Sequence, residues 1–222
     1  MENDKHRIGE IYKKRFSDEE QKKRDVLWET LCKHFFQKYI SPGDVVLDIG
    51  AGFCEFINHV NCGKKYALDI NPEVKNYAHS DVIVVNEPVS KMTSFPDNSI
   101  DIAFASNFFE HLPDKKTLFE TLMEINRVLK KGGKLLILQP NIAYLHGKYW
   151  DFIDHHIPLT HTSMAEALQL CRFEVVENRP RFLPYTTKSK LPMHPFFVRL
   201  YLLAKPVQLL IGKQAWIVGE KV

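Results

Sequence analysis

Apolar positions recur along this chain in two registers. Over residues 18–39 they fall at helical spacing (Leu27, Trp28, Leu31, Phe35), behind Ser17 as N-cap with Glu20 three residues on, and Ser41-Pro42-Gly43 stops the run. Residues 45–49 are instead a short apolar run ending in glycines, the pattern of a strand buried on both faces of a parallel sheet. Further strands are predicted at 66–68, 82–85, 100–105, 135–138 and 173–176, with a final edge strand at 215–218.

Helical signals alternate with these strands. Asn71-Pro72 opens a helix by N-cap and N1 preference. Residues 115–129 carry Leu118, Leu122, Ile125 and Leu129 on one face and end at Gly132-Gly133, and a further helix spans 163–171. The glycine turn after the first strand also leads into a helix. Five βα units in series imply an α/β fold with a doubly wound sheet and ligand sites at the strands' carboxyl ends.

The chain of 222 residues is long enough for a full core, and its net charge of +3 is too small to indicate nucleic-acid binding. A polar N-terminus without an apolar h-region makes the cytoplasm the expected location. Cys32, Cys54, Cys62 and Cys171 show neither a C-x-x-C pair nor regular spacing, so free thiols are expected rather than a zinc knuckle or disulfide framework. The reading is one domain: an N-terminal lid and helix over 1–40, a ligand-binding core over 41–178, an apolar and basic insertion over 179–213, and a last strand over 214–222.

Three motifs carry chemistry. The first is Val46-Leu47-Asp48-Ile49-Gly50-Ala51-Gly52-Phe53-Cys54-Glu55, where a strand enters a glycine turn that lets backbone approach a ligand. A dinucleotide loop of the G-x-G-x-x-G type needs glycine where Glu55 stands. With Asp48 before the turn, the local charge disfavours a diphosphate and tolerates a sulfonium or ammonium group. The second motif is Ala67-Leu68-Asp69-Ile70-Asn71-Pro72, which ends a strand with a carboxylate suited to ribose hydroxyls. The third is the stretch 94–113, including Asn107-Phe108-Phe109-Glu110-His111-Leu112-Pro113, followed by Arg127-Val128-Leu129-Lys130-Lys131-Gly132-Gly133.

Together these motifs resemble the small class I S-adenosylmethionine-dependent methyltransferases, of the type that includes ubiquinone and menaquinone biosynthesis enzymes, over residues 45–173. The resemblance implies a Rossmann-like sheet, mostly parallel with an antiparallel last strand, in the order 3-2-1-4-5-7-6 with helices on both faces. It implies S-adenosylmethionine as cofactor, with Gly50 and Gly52 at its methionine part, Asp69 at the ribose, Asn107 and Phe108 beside the donor, and Asp48 and Ile70 among the cofactor-binding residues. The acidic residue that the family often places near adenine is replaced by Val89, with Ser90 next, so backbone and apolar contacts are expected there. Tyr12, Arg15 and Phe16 are a candidate lid.

Methyl transfer from a sulfonium depends mainly on positioning and water exclusion. A hydroxyl acceptor benefits from a base, and His111, His155 and His156 are the candidates. Asp151, Asp154, His155, His156 and His161 have metal-ligand chemistry, but no metal is expected. The insertion, with Phe182, Leu183, Tyr185 and residues 195–211, is broken by Arg199 and Lys205-Pro206 too soon to span a membrane. Its basic flanks, Lys188, Lys190, Arg199, Lys205 and Lys213, suit peripheral membrane contact through 182–212 or a cap over a lipid-linked acceptor; a packed helical cap or a dimer interface is the plainer reading. The tail resembles bacterial methyltransferases of polysaccharide or glycolipid assembly, which implies a small-molecule, glycan or lipid-linked acceptor and O-methylation. The rival readings are a scaffold that binds the donor without turnover and an NAD-type oxidoreductase.

Overall fold

The structure is a computed structural model that describes residues 18–185 and 194–222. Ser17 and the candidate lid residues Tyr12, Arg15 and Phe16 lie outside the described residues, as do Lys188 and Lys190. The first described element is α1 (Asp18–His34), followed by a 3-10 turn over Phe36–Tyr39. The single helix predicted over 18–39 is therefore broken at Phe35. Packing explains the break: the rings of Phe35 and Phe36 both lie against Trp216, at centroid distances of 5.2 and 5.3 Å. The break brings both rings onto one indole, a long-range contact that overrides the local helical preference.

The strands are β1 (Val45–Ile49), β2 (Lys64–Leu68), β3 (Val82–Val85), β4 (Ile100–Ser106), β5 (Leu129–Pro140), β6 (Phe173–Arg179) and β7 (Gln214–Lys221). They form a seven-stranded sheet in the order β3-β2-β1-β4-β5-β7-β6, parallel except that β7 runs antiparallel to β5 and β6. The expected order and the antiparallel last strand are both present. Gly132-Gly133, however, do not end a helix. The helix α2 (Lys115–Val128) gives way at once to extended backbone at Leu129, which pairs with Ile100. The register then jumps from Leu129 to Lys134 while β4 advances only to Ile102, so residues 130–133 bulge out of the ladder. Gly132 takes φ +74°, and a Cβ on Gly133 would sit 2.8 Å from the Lys130 carbonyl oxygen.

Alternation along the strands sends residues to two cores. Leu47, Ile49, Leu135 and Ile137 face α2, through Leu118, Leu122 and Ile125, and the helix α4 (His161–Leu170), through Met164 and Leu168. Val46, Phe104 and Trp216 face α1 and an aromatic cluster in which Phe56 stacks on Phe104 at 3.7 Å. Helices thus cover both faces, but five complete βα units are not formed. Residues 53–60 after the glycine turn are a series of turns instead of the expected helix: Cys54 takes φ +57°, which a right-handed helix does not accommodate, and Phe56 and Ile57 pack into that aromatic core. Only a 3-10 turn, Pro72–Asn76, joins β2 to β3, and β3 reaches β4 through turns and loop.

Between β5 and β6 lie α3 (Ile142–Leu145), a 3-10 turn over His146–Asp151, and α4 with a capping box between Thr160 and Ser163. The insertion after β6 contains α5 (Pro195–Leu203) and α6 (Lys205–Ile211). It is a packed helical cap: α5 lies on α1, and Phe182, Leu183 and Val198 join the aromatic core. Phe36, fully buried among Trp28, Phe56, Phe104 and Trp216, is the centre of that core. Phe36→Ala is expected to cost about 3–5 kcal/mol in urea unfolding. Phe197→Ala, half exposed on α5, is expected to stay within about 0.5 kcal/mol of wild type.

Candidate functional site

The carboxyl ends of β1, β2 and β4 meet at the glycine turn. Gly50 N–H donates to the Leu68 carbonyl at 2.8 Å, which folds the turn back over the end of β2. Gly50 and Gly52 take φ of +64° and +51°, a conformation glycine adopts without steric cost. A Cβ on Gly50 would lie 2.5 Å from Cδ2 of Phe108, so the Phe108 ring packs directly on the glycine backbone. The neighbouring Asn107 is exposed at φ +49°, and its N–H donates to Leu138 O at 2.8 Å.

Asp69 joins two loops. Its Oδ2 accepts from Gly52 N–H at 2.9 Å and its Oδ1 from Asn71 N–H at 2.8 Å, with the side chain 9% exposed. Burial raises its pKa, and the Asn71 and Gly52 N–H groups act against that rise. Asn86, just past β3, donates from Nδ2 to the backbone oxygens of Asp69 and Asn71 at 3.0 and 3.3 Å. Asp48 is buried beneath the turn, and burial pushes its carboxyl well above the usual carboxylate range; the Ile57 N–H opposes the shift, and Asp69 and Glu55 add to it.

The negative charge attributed to Glu55 has a different role. Both Glu55 oxygens are held by Arg24 of α1, from Nε and a terminal guanidinium nitrogen at 2.6 Å each, so this carboxylate fastens α1 to the turn. Ile70 and Ser90 are half-buried, whereas Val89 packs into the core beside Met92 and Phe95. The acidic residue of this loop, Glu87, accepts from Ser94 N–H, Ser94 Oγ and Thr93 Oγ1. Arg24 and Asn86 were not singled out in the sequence. Asn86 carries the only local signal, a polar residue immediately after a strand.

The candidate bases separate in space. His111 and His155 lie together, with ring centroids 5.0 Å apart, whereas the His156 side chain is exposed. The metal-ligand set read from the sequence is not assembled: Asp151 is exposed, and His161 Nδ1 accepts from Asn141 Nδ2 at 3.0 Å, with burial lowering its pKa. Among the described residues, the cluster that does assemble is Glu110, His111 and His155, whose ligand atoms all lie within 4.8 Å of one another. Glu110 is buried, and burial pushes its carboxyl up to about 7, with His111 acting in the opposite direction. Main-chain bonds from His156 N–H (2.8 Å) and Ile157 N–H (3.2 Å) to Glu110 O hold the 151–157 loop against the end of β4.

Comparison with known proteins matches residues 47–137 to the family described as "Methyltransferase domain". The chain is 26% identical over 118 residues to a protein of Aspergillus luteorubrus named as a probable methyltransferase, and 34% identical over 112 residues to an uncharacterized protein of Methanocaldococcus jannaschii. Those stretches take in 46% and 50% of this chain, which spans only 41% and 42% of the length of those relatives. A solved SAM-dependent methyltransferase from Archaeoglobus fulgidus superposes with a TM-score of 0.66 at 21% identity, covering 89% of this chain and 94% of that one; at this identity the likeness concerns the fold.

Two outcomes follow from the turn. Gly50→Ala adds a left-handed alanine, at about 1–2 kcal/mol, to an overpacked contact with Phe108, at about 1–3 kcal/mol. Pairing it with Phe108→Ala is expected to relieve the second cost and leave the first in chemical unfolding. For Asp48, the unfolded chain releases the proton near pH 4, whereas the folded protein holds it to higher pH. Wild-type stability is therefore expected to fall relative to Asp48→Asn as the pH rises from about 4 towards 7. Urea unfolding of both proteins across that range checks this, and a constant gap would contradict it.

Proposed function

We propose that this chain, whose residues 47–137 match the family described as "Methyltransferase domain", uses S-adenosylmethionine as methyl donor and transfers the methyl group by in-line displacement to a hydroxyl of a small-molecule, sugar or lipid-linked acceptor. The observation that carries the reading is the buried Asp69 carboxylate, bound to Gly52 and Asn71 N–H at the mouth of the glycine turn. Each of its oxygens keeps lone-pair capacity for a ribose hydroxyl. In this reading Gly50 and Gly52 approach the methionine portion of the donor, Ile70 and the backbone at Val89 and Ser90 line the adenine, and Asn107 and Phe108 flank the transferred group. Asp69 places an acidic group at the mouth of the turn, which favours a cationic donor over a pyrophosphate.

The chain's contribution to the reaction is alignment and exclusion of water. His111 stands just past Phe108 and is partly accessible, so it is the residue proposed to receive the proton of a hydroxyl acceptor, with His155 behind it. The acceptor class is supported by the helical cap. Phe196, Leu203 and Leu210 are 62, 82 and 74% exposed, beside the exposed Arg199 and Lys205, a combination suited to an interfacial lipid surface. No helix among the described residues is long and apolar enough to cross a membrane. A second reading, donor binding without turnover, is favoured by the loop after β3, where Glu87 is engaged by Ser94 and Thr93 and Val89 is buried.

Calorimetric titration with S-adenosylhomocysteine is expected to give micromolar binding to the wild type and at least a tenfold loss in Asp69→Ala, with no binding of NAD. Absence of binding to the folded wild type would overturn the assignment, and saturable binding with no labelled methyl transferred to glycan or lipid fractions would favour the scaffold. Sedimentation with anionic vesicles is expected to fall in Phe196→Ser/Leu203→Ser; equal sedimentation of variant and wild type would remove the cap from the acceptor argument.

A further inference from the structure

We propose that Glu110, His111 and His155 bind one divalent transition-metal ion of the zinc class. Their three ligand atoms lie within 4.8 Å of one another. This set differs from the sequence-local group Asp151, Asp154, His155, His156 and His161, and it depends on the fold bringing the end of β4 against the 151–157 loop.

Glu110 supplies the main argument. It is 1% exposed, and among the described residues neither of its side-chain oxygens has a hydrogen-bond donor. A buried carboxylate without donors is heavily penalised, so a cation or a proton is required beside it. His111 indicates which. Its Nδ1 lies 2.8 Å from the backbone oxygen of Asp154, and a carbonyl oxygen can only accept, so Nδ1 carries the hydrogen. In the neutral ring Nε2 then holds a lone pair, and this atom faces Glu110 Oε1 at 4.0 Å. Two acceptors confront each other across a gap too long for a direct hydrogen bond. An ion between them satisfies both, and the Nδ1–H to carbonyl bond is the outer contact that commonly orients a metal-bound imidazole.

His155 completes the set. It is buried, stacked on Phe152 at 5.3 Å and packed against Tyr149 at 4.7 Å, and the His156 and Ile157 N–H bonds to Glu110 O fix its loop. Two imidazoles and one carboxylate suit zinc and its first-row neighbours, whereas calcium and magnesium prefer all-oxygen sites. Three protein ligands leave a further coordination position, on the side where His111 is partly accessible; with the ion bound, His111 Nε2 is a ligand, so the base role proposed for His111 belongs to the metal-free chain.

The test needs neither donor nor acceptor, so it fails or succeeds independently of the methyl-transfer reading. The chelator-stripped chain is titrated with Zn2+ against a competing chromophoric chelator, and separately with Co2+ while the visible spectrum is recorded. Wild type is expected to take up one tight equivalent. Glu110→Gln and His155→Ala are each expected to bind at least tenfold more weakly, and His79→Ala, at an exposed histidine elsewhere, to bind as wild type does. Thermal melting by circular dichroism establishes that the variants are folded. If one is not, the wild-type Co2+ spectrum decides: intense bands of a four- or five-coordinate ion are expected, and the pale spectrum of the hydrated ion would overturn the site. Equal affinity of wild type, Glu110→Gln and His155→Ala would overturn it as well.

Discussion

The Asp69 carboxylate sits where two loops with little regular structure of their own have to be held in register. Gly52 belongs to the turn after β1 and Asn71 to the turn after β2, and Asp69 accepts a backbone N–H from each. Without an acceptor these donors would be costly to bury, and without the donors the carboxylate would be costly to bury. Asn86 extends the same joint to the end of β3 through the Asp69 carbonyl. Three parallel strands thereby end in one hydrogen-bonded rim, at the position where open α/β sheets receive ligands.

The opposite requirement, that the turn be backed by something rigid, is met by aromatic packing. Phe108 lies on Gly50, and Phe56, within the 53–60 turns, stacks on Phe104 of β4. Phe36 and Trp216 continue that cluster to α1, which returns to the turn through the Arg24 to Glu55 pair. Burial of the aromatic rings supplies the stability, and the ion pair sets the placement of α1, because paired charges with limited exposure fix geometry more than they add free energy.

Much of the fold was legible because buried strands announce themselves: the runs at β1 and β3 coincide with the elements observed, and Leu118, Leu122 and Ile125 of α2 are buried as their spacing implied. The misreadings share a cause. The break at Phe35, the turns at 53–60 and the bulge at Gly132-Gly133 are places where contacts distant in sequence override local preference, through Trp216, Phe104 and the β4 ladder respectively. At the site, Asp69 and the glycines were readable from their place after strands. The Glu110, His111 and His155 cluster was not, since residues more than forty positions apart meet only once the 151–157 loop docks on Glu110, and nothing local marks Glu110 as buried.

The central claim is that the rim around Asp69 is the donor site. Backbone amide NMR of the isotope-labelled chain during titration with S-adenosylhomocysteine tests it most directly. The largest shifts are expected at Gly50, Gly52, Asp69, Ile70 and Asn107, with little change along β6 and α6. Saturable shifts confined to other elements, with Gly52 and Asp69 unmoved, would contradict the account.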